Sequence, residues 1–258
     1  MKNSILLLMY GAFLVVTWWT SSARGDFITV NPIKDNSIYS ESDNSNALGP
    51  LFSGTTAGGA VRRALMQFDV TAIPSGAIVN SVSLGLTQIK HGSASGADSF
   101  ELHRVSAAWG EGTSTGTGSG ALPTTGDATW NFRQFNTLTW TPGGSFGATS
   151  GTTIIDTADT RYTFASQTGL LADVQSWVNN PSSNFGWLLK IANESNPSNA
   201  REFTSREGLL SQRPSLLVNF TAVPEPSSLV FLGAVFLVAS WYRVAHRPSC
   251  QPKAQRSE

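Results

Sequence analysis

Cysteine is almost absent: the 258 residues hold one, Cys250, placed after a C-terminal apolar run. The body of the chain can therefore form no disulfide and supports no cysteine chemistry, so only its core or a bound ion can hold it together. Charge is scarce as well, at 13% Asp, Glu, Lys and Arg, and the 17 basic and 17 acidic residues cancel. Between residues 26 and 222 there are 11 Lys plus Arg against 15 Asp plus Glu, which leaves no basic footprint for a nucleic-acid partner. Histidine is nearly as rare. Only His91 and His103 fall in that stretch, and no spacing of His, Asp and Glu suggests zinc. No internal repeat appears, which disfavours a propeller.

The two ends carry the long apolar runs. Lys2, the run Ile5 to Trp19 and the small residues Ser21, Ser22, Ala23 and Gly25 have the three-part form of a secretory signal peptide over 1–25. At the other end, Val223-Pro224-Glu225-Pro226-Ser227-Ser228 precedes an apolar run from Leu229 to Tyr242, followed by Arg243, His246, Arg247, Lys253 and Arg256. That run is shorter than the roughly 20 residues an untilted helix needs to cross a bilayer core. The positive charge after it favours the cytoplasmic side, so everything before Val223 would face outward.

The tail resembles the PEP-CTERM protein-sorting signal through Pro224, Glu225 and Pro226, the hydrophobic helix Leu229 to Tyr242, and Arg243 and Arg247. The resemblance implies passage through the export machinery and transient anchoring in the membrane. It further implies removal of residues 223–258 by an exosortase-type membrane protease, and a final place at the cell surface or in the extracellular matrix. An ordinary C-terminal anchor is the alternative. Residues 26–222 remain as one domain, ample for a core of its own.

Within that domain, short β-rich runs alternate with Gly, Ser, Thr and Pro turns. Strands are expected at Phe27–Val30, Ser37–Tyr39, Ala64–Val70, Val79–Ile89, Phe100–Val105, Tyr162–Phe164, Gly186–Ile191, Glu202–Ser205 and Ser215–Phe220. In the Ala64 strand, Ala64, Met66, Phe68 and Val70 form one clearly apolar face. Leu170, Leu171, Val174, Trp177 and Val178 share one face of a 3.6-residue period, which predicts a helix with Thr168 as a possible cap and Asn180-Pro181 as its stop. From Ser106 to Thr129 the chain is mostly Gly, Ser and Thr, a segment unable to order itself alone. Two readings stay open for it, a binding or lid segment and disorder. The expected fold class is all-β, a jelly-roll β-sandwich with one short helix, besides the signal peptide and the hydrophobic sorting helix.

The order of several pieces is similar to the DNRLRE domain family, which is related to disaggregatase-type repeats and to carbohydrate-binding modules. The pieces are Asp35-Asn36-Ser37-Ile38-Tyr39, Arg63 to Asp69 with Ile73-Pro74-Ser75-Gly76-Ala77, Leu102-His103-Arg104-Val105 with Trp109-Gly110-Glu111-Gly112, and Asp127-Ala128-Thr129-Trp130. They continue with Asp173 to Trp177, Asn184-Phe185-Gly186-Trp187, Phe203 to Glu207 and Arg213-Pro214-Ser215-Leu216. The resemblance implies an extracellular jelly roll, with polysaccharide binding known for some relatives. An exported, non-catalytic protein associated with extracellular polysaccharide is the leading expectation. A structural or adhesive surface protein without a sugar site is the alternative, and a polysaccharide-degrading enzyme a third.

Site residues follow from residue chemistry. Tryptophan faces suit the apolar face of a sugar ring as well as a core. Trp109 and Trp130 flank the long loop and are expected to stack on sugar, whereas Trp177 and Trp187 read as core. Arg206 and Glu207 are candidate contacts to an acidic sugar, with a structural ion pair as the competing reading. Glu41, Asp43, Asn44 and Asn46 form an oxygen-rich loop that could hold a structural Ca²⁺, although its spacing does not match the EF-hand loop and a solvated turn is the favoured reading. His103 shares a face with Glu101 and Val105 and reads as a satisfied strand histidine.

Overall fold

Alternation at period two gives thirteen strands and one α-helix among residues 25–93 and 96–223, the part of the chain that this computed structural model describes. The readings placed on Pro224, Glu225, Pro226, Arg243, Arg247 and the signal peptide before Gly25 lie outside the described residues. No helix among the described residues is long and apolar enough to cross a membrane.

The strands are β1 (Gly25–Val30), β2 (Pro32–Tyr39), β3 (Leu51–Thr55), β4 (Val61–Phe68), β5 (Ile78–His91), β6 (Asp98–Val105), β7 (Phe132–Gln134), β8 (Leu138–Thr139), β9 (Phe146–Ile155), β10 (Thr160–Phe164), β11 (Trp187–Ile191), β12 (Arg201–Phe203) and β13 (Ser215–Thr221), with α1 (Thr168–Asn179) between β10 and β11. The fold is all-β with one short helix, and every strand pair is antiparallel. The main sheet runs β1-β13-β5-β12-β3-β4-β11-β6-β9, with β10 on β5 and β2 on β4. It curls, and β3 joins its two halves by pairing with β12 on one side and β4 on the other. Gly25 at the start of β1 lies opposite Thr221 at the end of β13, so the two ends of the domain emerge side by side.

The core forms between the halves. Met66, Phe68, Phe100 and Trp187 from one half meet Val82, Leu84, Leu216 and Val218 from the other. The helix closes one end. Its Leu170, Val174, Trp177 and Val178 are buried, and the Trp177 and Trp187 rings lie 4.5 Å apart. The cap expected at Thr168 is corrected: Gln167 is the N-cap, and its side chain pairs with the Thr152 backbone instead of capping.

The strand β4 differs from its expected one-sided burial. Ala64, Met66 and Phe68 enter the main core, but Leu65 on the opposite face is also fully buried, in a second cluster with Ile38, Val105, Trp109, Ala128 and Leu188. The cause is the 106–145 segment, which lies over the outer face of the β2-β4-β11-β6 half. It is ordered by borrowing that face. Gly110 donates to Arg133, Ala128 to Gly110 and Phe135 to Asp127, while Ser45 and Ala121 form a bridge. Disorder is therefore not the outcome for this segment.

Candidate functional site

Trp109 is the first site expectation to be corrected. It is only 2% exposed, its indole N–H donates to the Phe185 carbonyl at 2.9 Å, and Lys34 lies over its ring. A ring so enclosed cannot stack on a sugar. Trp130 stays half-buried, but the Arg63 guanidinium sits 4.8 Å from its ring centre. Arg63 is held there by a bidentate pair with Glu194 at 2.7–2.8 Å and a bond to the Gly143 carbonyl. The residues on either side of the loop are thus fasteners of the outer layer.

The calcium loop is corrected for a similar reason. Glu41 pairs with Arg62 at 2.6 Å, and Asp43 accepts from Thr129 and Asn131. Asn44 donates to the Ser119 carbonyl, and the buried Asn46 donates to Pro50 and accepts from the Gly116 N–H. Each side chain has its own partner: Asp43, Asn44 and Asn46 fasten the 112–131 segment to the body and Glu41 holds Arg62 of β4, so the four do not form one coordination shell.

Arg206 and Glu207 lie in the turn after β12, facing β2 and the Trp109-Gly110-Glu111-Gly112 stretch. The Arg206 guanidinium forks onto Glu111 at 2.8 and 3.0 Å and reaches Glu207 at 2.9 Å, while its backbone N–H donates to Asp35 at 2.8 Å. Glu111 also accepts from the Asp35 N–H at 2.8 Å. The ion-pair reading of Arg206 and Glu207 is the one that the geometry fits. Burial pushes the Asp35 carboxyl well above the usual carboxylate range, against the pull of the Arg206 N–H and with the negative charges of Glu207 and Glu111 adding to the rise. Burial likewise raises Glu111, against the Asp35 N–H and the Arg206 charge. Glycine positions this cluster. Gly112 has φ +76°, and a side chain there would collide with the Asp127 carboxylate, while one at Gly110 would collide with the Gly126 carbonyl.

A separate cleft of about 250 Å³ opens where β3, β5 and β12 meet. Phe52 forms its apolar wall, and Arg62, Lys90, His91, Arg201 and Glu202 supply polar groups. Its charges come in pairs: Lys90 with Glu202 at 3.3 Å, Arg62 with Glu41, and the buried Arg201 with Asp98 at 2.8 Å. The sequence showed His91 only as one of two scarce histidines and Glu202 only as the start of a strand, because three strands distant along the chain contribute the cleft residues.

His103 has both ring nitrogens engaged, with the Gly147 carbonyl at 3.0 Å and Glu101 at 3.1 Å, and it is 7% exposed. Two strings of Gly-x-Ser-x-Gly form, Gly112 to Gly116 and Gly143 to Gly147, do not make a strand-to-helix elbow. Ser114 Oγ accepts from the Ala47 N–H and Ser145 Oγ from the Thr141 N–H. No family model matches the chain, and no curated protein matches it.

Proposed function

We propose that the protein is an exported, non-catalytic β-sandwich of jelly-roll type that holds extracellular polysaccharide in the cleft between β3, β5 and β12. The observation that carries this reading is the lining of the cleft. Sugar hydroxyls both donate and accept, and the Lys90–Glu202 pair offers a donor and an acceptor side by side in the cleft. Its volume is close to the lower end of small-ligand pockets, about 300 Å³, which suits one ring of a longer chain. The DNRLRE-like order of motifs agrees with such a role. The N-terminal leader and the PEP-CTERM-like tail would bring the domain through the export machinery to an exosortase-type protease and then to the cell surface or matrix.

Affinity electrophoresis of residues 26–222 through gels containing an acidic or a neutral polysaccharide tests the binding. Retardation is expected in at least one gel, weakened at least about fivefold, roughly 1 kcal/mol, by Lys90→Ala or His91→Ala. Absence of retardation in every gel overturns the binding. A second reading, a structural or adhesive surface protein, is favoured by the enclosure of Trp109 and the Arg63 cover on Trp130, which remove the most obvious stacking platforms. It predicts that those variants change nothing.

A further inference from the structure

We propose that Asp35, Glu111 and Glu207 form a binding site for a hard divalent cation, Ca²⁺ foremost, that ties the outer layer to the sheet. Each of the three offers a carboxylate oxygen, and these atoms all lie within 4.8 Å of one another. They come from distant parts of the chain: Asp35 from β2, Glu111 from the start of the covering segment, Glu207 from the turn after β12.

A cluster of acids alone would be unremarkable, but one of its members is incomplete. Asp35 is fully buried, its Oδ2 accepts from the Arg206 N–H, and its Oδ1 has no hydrogen-bond partner among the described residues. A buried carboxylate oxygen without a donor has lost its hydration with nothing in return, and native proteins seldom leave one so. A cation offsets that loss. The neighbouring charges do not. Three carboxylates face one guanidinium, Arg206, and one ammonium, Lys34, whose Nζ is turned to the Trp109 carbonyl.

The donor set selects the ion. All three ligands are carboxylate oxygens, with no sulfur and no imidazole, which suits Ca²⁺, Mg²⁺ or Mn²⁺ over zinc or copper. Arg206 does not exclude the ion: Glu111 Oε1 is taken up by the Asp35 and Arg206 N–H groups, but Oε2 accepts only one N–H and keeps a second lone pair. Glu207, the exposed member, borders a cleft. The cleft, of about 230 Å³, is also lined by Thr204, Ser205 and Gly208, and the buried Thr204 hydroxyl has no partner among the described residues. This inference does not depend on sugar binding in the β3, β5 and β12 cleft, which shares none of these residues.

The test is titration of the full chain, stripped with chelator, with CaCl2 and separately with MgCl2 by isothermal calorimetry, and with Tb³⁺ by tryptophan-sensitised luminescence. One saturable Ca²⁺ site is expected, with a Kd in the range of about 10⁻⁴–10⁻³ M common to extracellular modules, and Ca²⁺ should displace Tb³⁺. Glu207→Gln, at a partly exposed position, should weaken Ca²⁺ at least tenfold while circular dichroism stays native. Asp35→Asn should do the same or more. No saturable binding of Ca²⁺ or Mg²⁺ up to 10 × the upper end of that range, roughly 10 mM, overturns the proposal. So does binding that Glu207→Gln and Asp35→Asn leave unchanged.

Discussion

Glu111 can reach Asp35 and Arg206 only because glycines flank it. Gly112 adopts a left-handed conformation with the Asp127 carboxylate where a side chain would be. Gly112→Ala should destabilise the protein by at least about 1–2 kcal/mol from the backbone alone, with a further cost from the collision. Urea unfolding followed by tryptophan fluorescence would read this as a lower midpoint, and an unchanged midpoint would contradict it. The sequence displays Trp109-Gly110-Glu111-Gly112 plainly, yet its use was not legible there. A tryptophan beside a polar loop has the same composition whether it is open to a sugar or closed under a second layer, and burial alone separates the two. Arg206 and Glu207 were visible for the opposite reason: charged neighbours in a turn are conspicuous, although their partners Asp35 and Glu111 come from far away in the chain.

Cross-strand pairs act between elements. Glu101 of β6 lies opposite Lys190 of β11 and accepts from both Lys190, at 3.4 Å, and His103, at 3.1 Å. Burial pushes the Glu101 carboxyl up, but His103 and Lys190 outweigh it and bring the carboxyl below its ordinary value. A carboxylate depressed in the folded state stabilises the fold above its unfolded pKa, about 4.3, and that contribution disappears as pH falls through the lower folded value. Glu101→Gln should therefore cost less than about 1 kcal/mol near pH 7, and the gap from the parent protein should close below about pH 4. Denaturant midpoints measured across that range would show it, and a gap independent of pH would refute it. At this scale the sequence was informative where period two was clean. The alternation of Val82, Leu84 and Leu86 and of Leu216, Val218 and Phe220 marks β5 and β13 well. It was silent about β3 and β9, whose Gly, Ser and Thr content resembles the loops beside them.

For the whole molecule, the last strand is not an accessory. β13 lies between β1 and β5 and gives Leu216, Val218 and Phe220 to the core. Burying such side chains contributes about 1.5–3 kcal/mol each, comparable in sum to the net stability of a typical domain. A chain ending at Arg213 should accordingly fail to fold, seen as loss of near-ultraviolet dichroism and rapid proteolysis. A native spectrum from that truncation would show that the sheet closes without β13. The general class of fold could be read from composition and turns, whereas the covering layer could not, since a polar segment orders itself only against a surface that exists after the sheet has formed.

The pairing of β1 with β13 also sets a timetable. A chain made from its N-terminus presents β1 first and its partner strand β13 almost 190 residues later. Through that interval the hydrogen-bonding edge of β1, with Phe27 and Ile28 beside it, is open to pairing with another copy. Yield in the cell would then depend on how quickly residue 221 arrives, a property of the rate of synthesis that a measurement of native stability does not report.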